Sequence, residues 1–232
     1  RDDVESRGLG DVYKRQAEEM GLPVFLVQHH YAHILSCMAE NEWTTEKKVI
    51  GVSFDGTGYG TDGTIWGGEI LLADYDSFTR WGCIEPFAQT GGDASAKEGW
   101  RIAVSLLGKI YGKENALLII ETLGLCEPKL AKLQFTMEER GINTVQSTSA
   151  GRLFDAVSAI LDIRKSSTFE GEASTSLQFA AEKWLDAQKK KIAGSEDFAE
   201  SGIITDYGEL KRISDVAQKS VVEKNNSINR NI

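Results

Sequence analysis

The sequence lacks any apolar run long enough to cross a bilayer, and its N-terminus has no signal-peptide pattern. A membrane span is therefore not expected, and the expected compartment is the cytoplasm. Cysteine is sparse: Cys37, Cys83 and Cys126 are an odd number with no CxxC spacing, which argues against a disulfide framework or a cysteine zinc site. They are expected to be reduced and mostly packed. Positive charge is not in excess, because the net charge is −9, so nucleic acid is not expected as a partner. The Lys189-Lys190-Lys191 run reads as a solvated helix end that suits the helix dipole. There is no internal repeat and no low-complexity segment. What remains, 232 residues of ordinary globular composition, is enough for one large or two small domains.

Histidine is also scarce, and its placement is informative. All three histidines, His29, His30 and His33, lie within a few residues of one another. If Gln28 to Asn41 is helical, His29 and His33 project from one face on successive turns, as two imidazoles closing on one metal must. Ile34, Leu35 and Met38 then form a core-facing patch, and His30 points elsewhere as a hydrogen-bonded or outer-layer residue. Asp55 ends the apolar, β-branched run Val49 to Phe54, which reads as a buried strand, and opens Asp55-Gly56-Thr57-Gly58-Tyr59-Gly60. This glycine-rich run has two readings: a plain hairpin turn, or a turn whose backbone N–H groups approach a phosphate next to a metal held by His29, His33 and Asp55. It is not a P-loop, since the closing Lys-Ser/Thr is missing. Gly67-Gly68, inside a strand pattern, marks a close approach by a ligand or another backbone.

Along the chain, residues 1–16 are highly charged and poorly patterned and are set aside as a non-native leader. Residues 17–193 form the domain, and residues 194–232 are a weakly patterned C-terminal segment. Val24 to Val27 reads as a short strand, followed by the histidine helix. Val49 to Phe54, Thr64 to Tyr75 and Thr79 to Glu85 read as an antiparallel hairpin or meander. Asp93 or Ser95 is placed to cap a helix carrying Trp100, Ala103, Leu106, Leu107 and Ile110, and helices are expected over Glu114 to Leu123 and Lys129 to Arg140. Ser147 to Asp155 starts another helix, with Leu153, Phe154, Val157, Ile160 and Leu161 on its buried side and Arg152 and Asp155 together on the other. Its start reads either as an N-cap alone or as an anion site with a carboxylate for ribose hydroxyls. A long helix from about Glu172 to Lys191 turns Leu177, Ala180, Ala181, Trp184 and Leu185 inward. The tryptophans are core or interface residues. The order is strands first and helices afterwards.

Together, Val27-Gln28-His29-His30-Tyr31-Ala32-His33, Phe54 to Gly60, Gly63 to Glu69, Gly91-Gly92-Asp93, Trp100-Arg101, Ser147 to Asp155 and Glu170-Gly171 resemble the HypF-type carbamoyltransferases of nickel-iron hydrogenase maturation. The resemblance covers most of Ala17 to Trp184. It implies an α/β fold, part of an ASKHA domain (actin-like, hexokinase-like), with an antiparallel or mixed sheet followed by a helical region. It implies His29, His33 and Asp55 as ligands of a divalent metal, iron or zinc, with Thr57 and Gly58 near phosphates and Arg152, Asp155 and Gly171 near the nucleotide. The implied reaction passes a carbamoyl group from carbamoyl adenylate, made with ATP, to the C-terminal cysteine thiol of a HypE-type partner. Lys97-Glu98-Gly99-Trp100-Arg101 stands where the family more usually has Arg-Glu-Pro-Trp-Arg. Further domains of that family are not recognisable here, so the chain reads as an internal fragment with little activity alone. The rival readings are an ASKHA-fold kinase of a small metabolite and a non-catalytic metal-binding or docking module.

Overall fold

The computed structural model describes residues 15–193; most of the charged leader and all of 194–232 lie outside them. Helix α1 spans His29–Glu40. Strands β1 (Val49–Tyr59), β2 (Ile65–Ala73), β3 (Phe78–Cys83) and β4 (Phe87–Thr90) follow. Then come α2 (Ala94–Lys97), α3 (Gly99–Tyr111), α4 (Lys113–Thr122), α5 (Pro128–Glu139), β5 (Thr144–Ser147), α6 (Ala150–Ile160) and α7 (Glu172–Ala193). No helix among the described residues is long and apolar enough to cross a membrane.

The sheet is mixed. β1, β2 and β3 form the expected antiparallel meander, from Val49 opposite Ala73 to Tyr59 opposite Ile65, and from Glu69 opposite Cys83 to Ala73 opposite Phe78. β5 meets the start of β2 in parallel at Ile65 and Ser147, and pairs antiparallel with β4. Strands therefore do not all precede helices: β5 returns to the sheet after the α2–α5 insertion.

Two apolar clusters hold this together. Tyr31, Ile34 and Met38 of α1 pack on Trp66, Leu71 and Ala73 of β2. Ile102, Ala103 and Leu107 of α3 pack with Ile120, Phe135, Ala156 and Ala159 from α4, α5 and α6. Burying a side chain of this size contributes about 1.5–3 kcal/mol. The seat of α1 depends on Gly51, where a Cβ would come 2.3 Å from Ile34 Cδ1.

Several expectations are corrected. Val24 to Val27 is not a strand: Phe25 and Leu26 are exposed, and no strand among the described residues lies beside them to complete a ladder. Val49 to Phe54 is buried on one side only, because α1 covers the pleat of Gly51 and Ser53 while Ile50, Val52 and Phe54 face outward. Asp55 does not open a turn. β1 continues to Tyr59 through a register shift between Phe54 and Gly58, and the turn comes at Gly60 to Thr64. On α6 the fully buried face is Ala150, Asp155, Ala156, Ser158 and Ala159; of the expected apolar side Leu153 and Ile160 pack on the core, partly buried, whereas Phe154 and Leu161 are exposed. Small residues are needed there because α6 lies close against α3 and β1. On α7, Ala173 is buried but Trp184 and Leu185 are exposed, since nothing among the described residues covers the later turns. Cys37 and Cys83 are exposed rather than packed, on outward positions of α1 and β3, and all three cysteines are free. Trp81 is exposed and Trp66 is in the core.

Candidate metal corner and nucleotide cleft

Helix α1 starts where Gln28, extended at φ −62° and ψ 135°, caps it by accepting a hydrogen bond from Tyr31 N–H at 2.9 Å. This cap sets the direction in which the histidines leave the helix. His33 Nε2 lies 3.1 Å from His29 Nε2, and His29 Nε2 lies 3.0 Å from Asp55 Oδ2. One nitrogen from each ring and one carboxylate oxygen lie within 4.8 Å of one another. Both rings are exposed, and Asp55 is half-buried. Asp55 Oδ1 accepts from Gly56 N–H at 2.6 Å, which leaves Oδ2 turned to the imidazoles.

The residues fit a divalent cation. Two imidazoles and a carboxylate suit zinc, iron and similar ions. Asp55 Oδ2 is buried and without a hydrogen bond among the described residues, as is His30 Nε2, 3.7 Å away. His30 is fully buried. Burial lowers its pKa from the ordinary value, outweighing the Asp55 carboxylate that raises it.

The wall behind Asp55 is made of backbone. Ser149, the N-cap of α6, accepts from Arg152 N–H at 3.0 Å and donates to Gly56 O at 2.6 Å. A Cβ on Gly67 would lie 2.5 Å from Asp55 O, and one on Gly151 2.8 Å from Gly56 Cα. The glycine at position 67 thus admits another backbone.

On the far side of Asp55 a cleft of about 1280 Å³ opens, lined by Asp55, Gly56, Thr57, the Gly92 to Lys97 turn, Asn143, Thr144 and Val145 of β5, Arg152, Asp155 and Ser167 to Gly171. Thr57, Arg152, Asp155 and Gly171 therefore share one cavity. Gly58 does not line it: after the bulge it faces His30, and a Cβ there would lie 2.1 Å from His30 Cε1. His29 and His33 lie outside the cleft, so Asp55 alone belongs to both places.

Arg152 Nε stands 2.9 Å from Asp155 Oδ2, and Arg152 Nη1 donates to Ala96 O at 3.2 Å. Burial raises the Asp155 pKa, against the opposing pull of Arg152. Gly171 has φ +77° at the end of the loop, where Thr168 N–H donates to Glu172 Oε2 at 2.6 Å. Sequence reasoning missed Gln89 and Asn143 in the lining. Both belong to the β4–β5 region, whose four-residue strands carry no periodic signal.

The sequence model for the HypF Kae1-like domain matches residues 10–40, and that for the carbamoyltransferase Kae1-like domain, second subdomain, matches residues 51–228. This chain belongs to the HypF Kae1-like carbamoyltransferase family. Among HypF relatives, carbamoyltransferase HypF of Rhodobacter capsulatus is 39% identical over 175 residues, 72% of this chain and 22% of that one. The probable carbamoyltransferase HypF of Methanocaldococcus jannaschii is 38% identical over 168 residues, again 72% and 22%. The chain thus spans roughly a fifth of the length of these two relatives. A crystal structure of full-length HypF, in a phosphate- and nucleotide-bound form, superimposes with TM-score 0.62 at 38% identity over 70% of this chain and 21% of that one. The fold is accordingly the ASKHA-like, Kae1-like α/β arrangement of HypF.

Proposed function

We propose that this chain is the metal- and nucleotide-handling part of an ATP-dependent carbamoyltransferase of hydrogenase maturation, which passes carbamoyl from carbamoyl adenylate to the C-terminal cysteine thiol of a HypE-type partner in the cytoplasm. The observation that carries the reading is the position of Asp55, on the cleft wall and 3.0 Å from His29 Nε2. His29, His33 and Asp55 would hold a divalent ion, iron or zinc. Such an ion supplies Lewis acidity toward a carbonyl or a departing phosphate oxygen.

The chain's own groups do the rest. Gly56 N–H holds one Asp55 oxygen and leaves the other to the histidines. Thr57 and Gly171 line the space for phosphate and nucleoside, and Asp155, aligned by Arg152, is the ribose candidate. Gly58 supports His30 rather than a phosphate. In the transfer, the partner's thiol would give its proton to solvent and its sulfur would bond to the carbamoyl carbon as the bond to the adenylate phosphate oxygen breaks and AMP leaves. An ASKHA-fold kinase has no need of the histidine pair.

The test is carbamoyl transfer to the acceptor thiol, followed by acceptor mass in the full-length context, with metal content measured on the same preparations. His29→Ala and His33→Ala should each lose metal and transfer while keeping the unfolding curve of the metal-free wild type. Transfer unchanged in both variants would leave the chain a docking module.

A further inference from the structure

We propose that His30 is a positioning residue: its ring, in the Nε2–H form, aims Asp55 Oδ2 at the metal corner, and Gln28 selects that form. The inference rests on the metal reading of His29, His33 and Asp55 and deepens it.

The hydrogen-bond pattern starts at Gln28. Its Oε1 is committed to Tyr31 N–H at 2.9 Å, and its Nε2 donates to Tyr59 O at 3.1 Å. Both partners agree on which end of the amide is nitrogen. The same Nε2 lies 2.9 Å from His30 Nδ1, so Nδ1 must accept there and the ring proton sits on Nε2. That proton faces Asp55 Oδ2 across 3.7 Å. His30 Nε2 has no hydrogen bond among the described residues, Asp55 Oδ2 has beside it only the exposed His29 Nε2 at 3.0 Å, and His30 is completely buried.

The ring is held in place. Trp66 stands against it at 5.9 Å between centroids, and a Cβ on Gly58 would come within 2.1 Å of Cε1 and 2.7 Å of Nε2. One glycine in β1 thus leaves room for the imidazole. Burying a polar ring whose only waiting partner is a carboxylate oxygen is costly unless the two act together. Outer-layer donors of this kind fix the orientation of a ligand and tune its affinity.

Three variants separate donor from filler. His30→Gln keeps an N–H at the Asp55-facing end, His30→Asn carries its N–H too close to the helix to reach, and His30→Phe fills the niche with no donor. Co²⁺ binding to the full chain, followed by visible absorption and by Zn²⁺ competition, should weaken about 10–100-fold in His30→Asn and His30→Phe. His30→Gln should recover most of the loss. Ring ¹⁵N spectra of the wild-type chain should show the Nε2–H form for His30. If the wild-type chain binds Co²⁺ and His30→Asn and His30→Gln bind it equally well with the same spectrum, the role of His30 is refuted and the metal reading stands. An Nδ1–H form refutes it as well. A wild-type chain that takes up no Co²⁺ refutes the metal reading itself, and the relay then has no target.

Discussion

Gly67→Ala tests whether the site is built on contact between main chains. A Cβ at position 67 would stand 2.5 Å from Asp55 O, 2.9 Å from Ser149 Cα and 3.2 Å from Asp55 C. All three are backbone atoms, so no side chain can rotate away. Restoring the ~3.5 Å at which such atoms attract requires β1 or the start of α6 to move by about an ångström. Overpacking of this kind costs about 1–3 kcal/mol, and a double backbone clash belongs at the upper end, about 3 kcal/mol. For a chain of this size that lowers the melting temperature by roughly 6–12 °C. Gly82→Ala is the matched control in the same sheet, because its Cβ would meet only Ile70 at 3.8 and 3.9 Å. Removing glycine from a strand interior there should raise stability by about 0.5–1 kcal/mol. Urea and thermal unfolding followed by circular dichroism measure both. A Gly67→Ala midpoint at or above wild type would show that the β1–β2–α6 junction is loose and that Asp55 is not held as described.

Other perturbations probe the same framework. Ser149→Ala removes the α6 cap and the 2.6 Å donor to Gly56 O, and should cost about 2–3 kcal/mol in urea unfolding; an unchanged midpoint would refute the junction. In acid, Asp74, whose pKa is held down mainly by Ser77 N–H and then by Asp76 N–H, contributes stability that is present above its unfolded value and lost as pH falls through the folded one. Asp155 has the opposite sign: burial raises its pKa, so acidification relieves a penalty. Stability measured below about pH 4 should therefore fall less steeply in Asp74→Asn than in wild type, and a parallel slope would remove the loop from the account.

The parts of this protein that were legible in the sequence are those where a local rule and the tertiary structure agree. The i, i+4 spacing of His29 and His33, Gln28 before the first turn and the patch of Ile34 and Met38 are all readable from helical period, and α1 obeys it. Asp55 at the end of an apolar run was also readable, although the strand does not end there. Alternating glycines resemble turn chemistry, yet Gly58 in β1 is required by the His30 ring that packs on it, and where α6 starts against Gly56 the constraint falls on Gly151. β4 and β5 are four residues each, and β5 joins β2 at a single parallel pair across more than eighty residues of chain. No window of sequence contains that pairing. Leu153 to Leu161 follows a helical period, and Leu153 and Ile160 do reach the core, but the side pressed hardest on α3 and the sheet is the one with alanine, serine and Asp155, because closeness rather than hydrophobic size decides it.

The same closeness explains why a single residue can serve both the histidine corner and the cleft. Asp55 has one carboxylate oxygen taken by the next N–H, its carbonyl contacted by Ser149 Oγ at 3.2 Å, and its remaining oxygen directed to the imidazoles. The neighbouring Gly56 carbonyl receives Ser149 Oγ at 2.6 Å, while Gly56 and Thr57 line the cleft and Arg152 extends from the first turn of α6. A group pressing on Gly56 from the cleft therefore acts on a main chain whose neighbouring side chain is the carboxylate that faces the imidazoles. Packed backbones of this kind transmit displacement instead of absorbing it. Occupation of the cleft by a nucleotide should consequently change the absorption spectrum of Co²⁺ held at His29, His33 and Asp55, and Ser149→Ala should weaken that change while leaving His29 and His33 untouched. A Co²⁺ spectrum indifferent to nucleotide would mean that the two places share a residue without sharing its position.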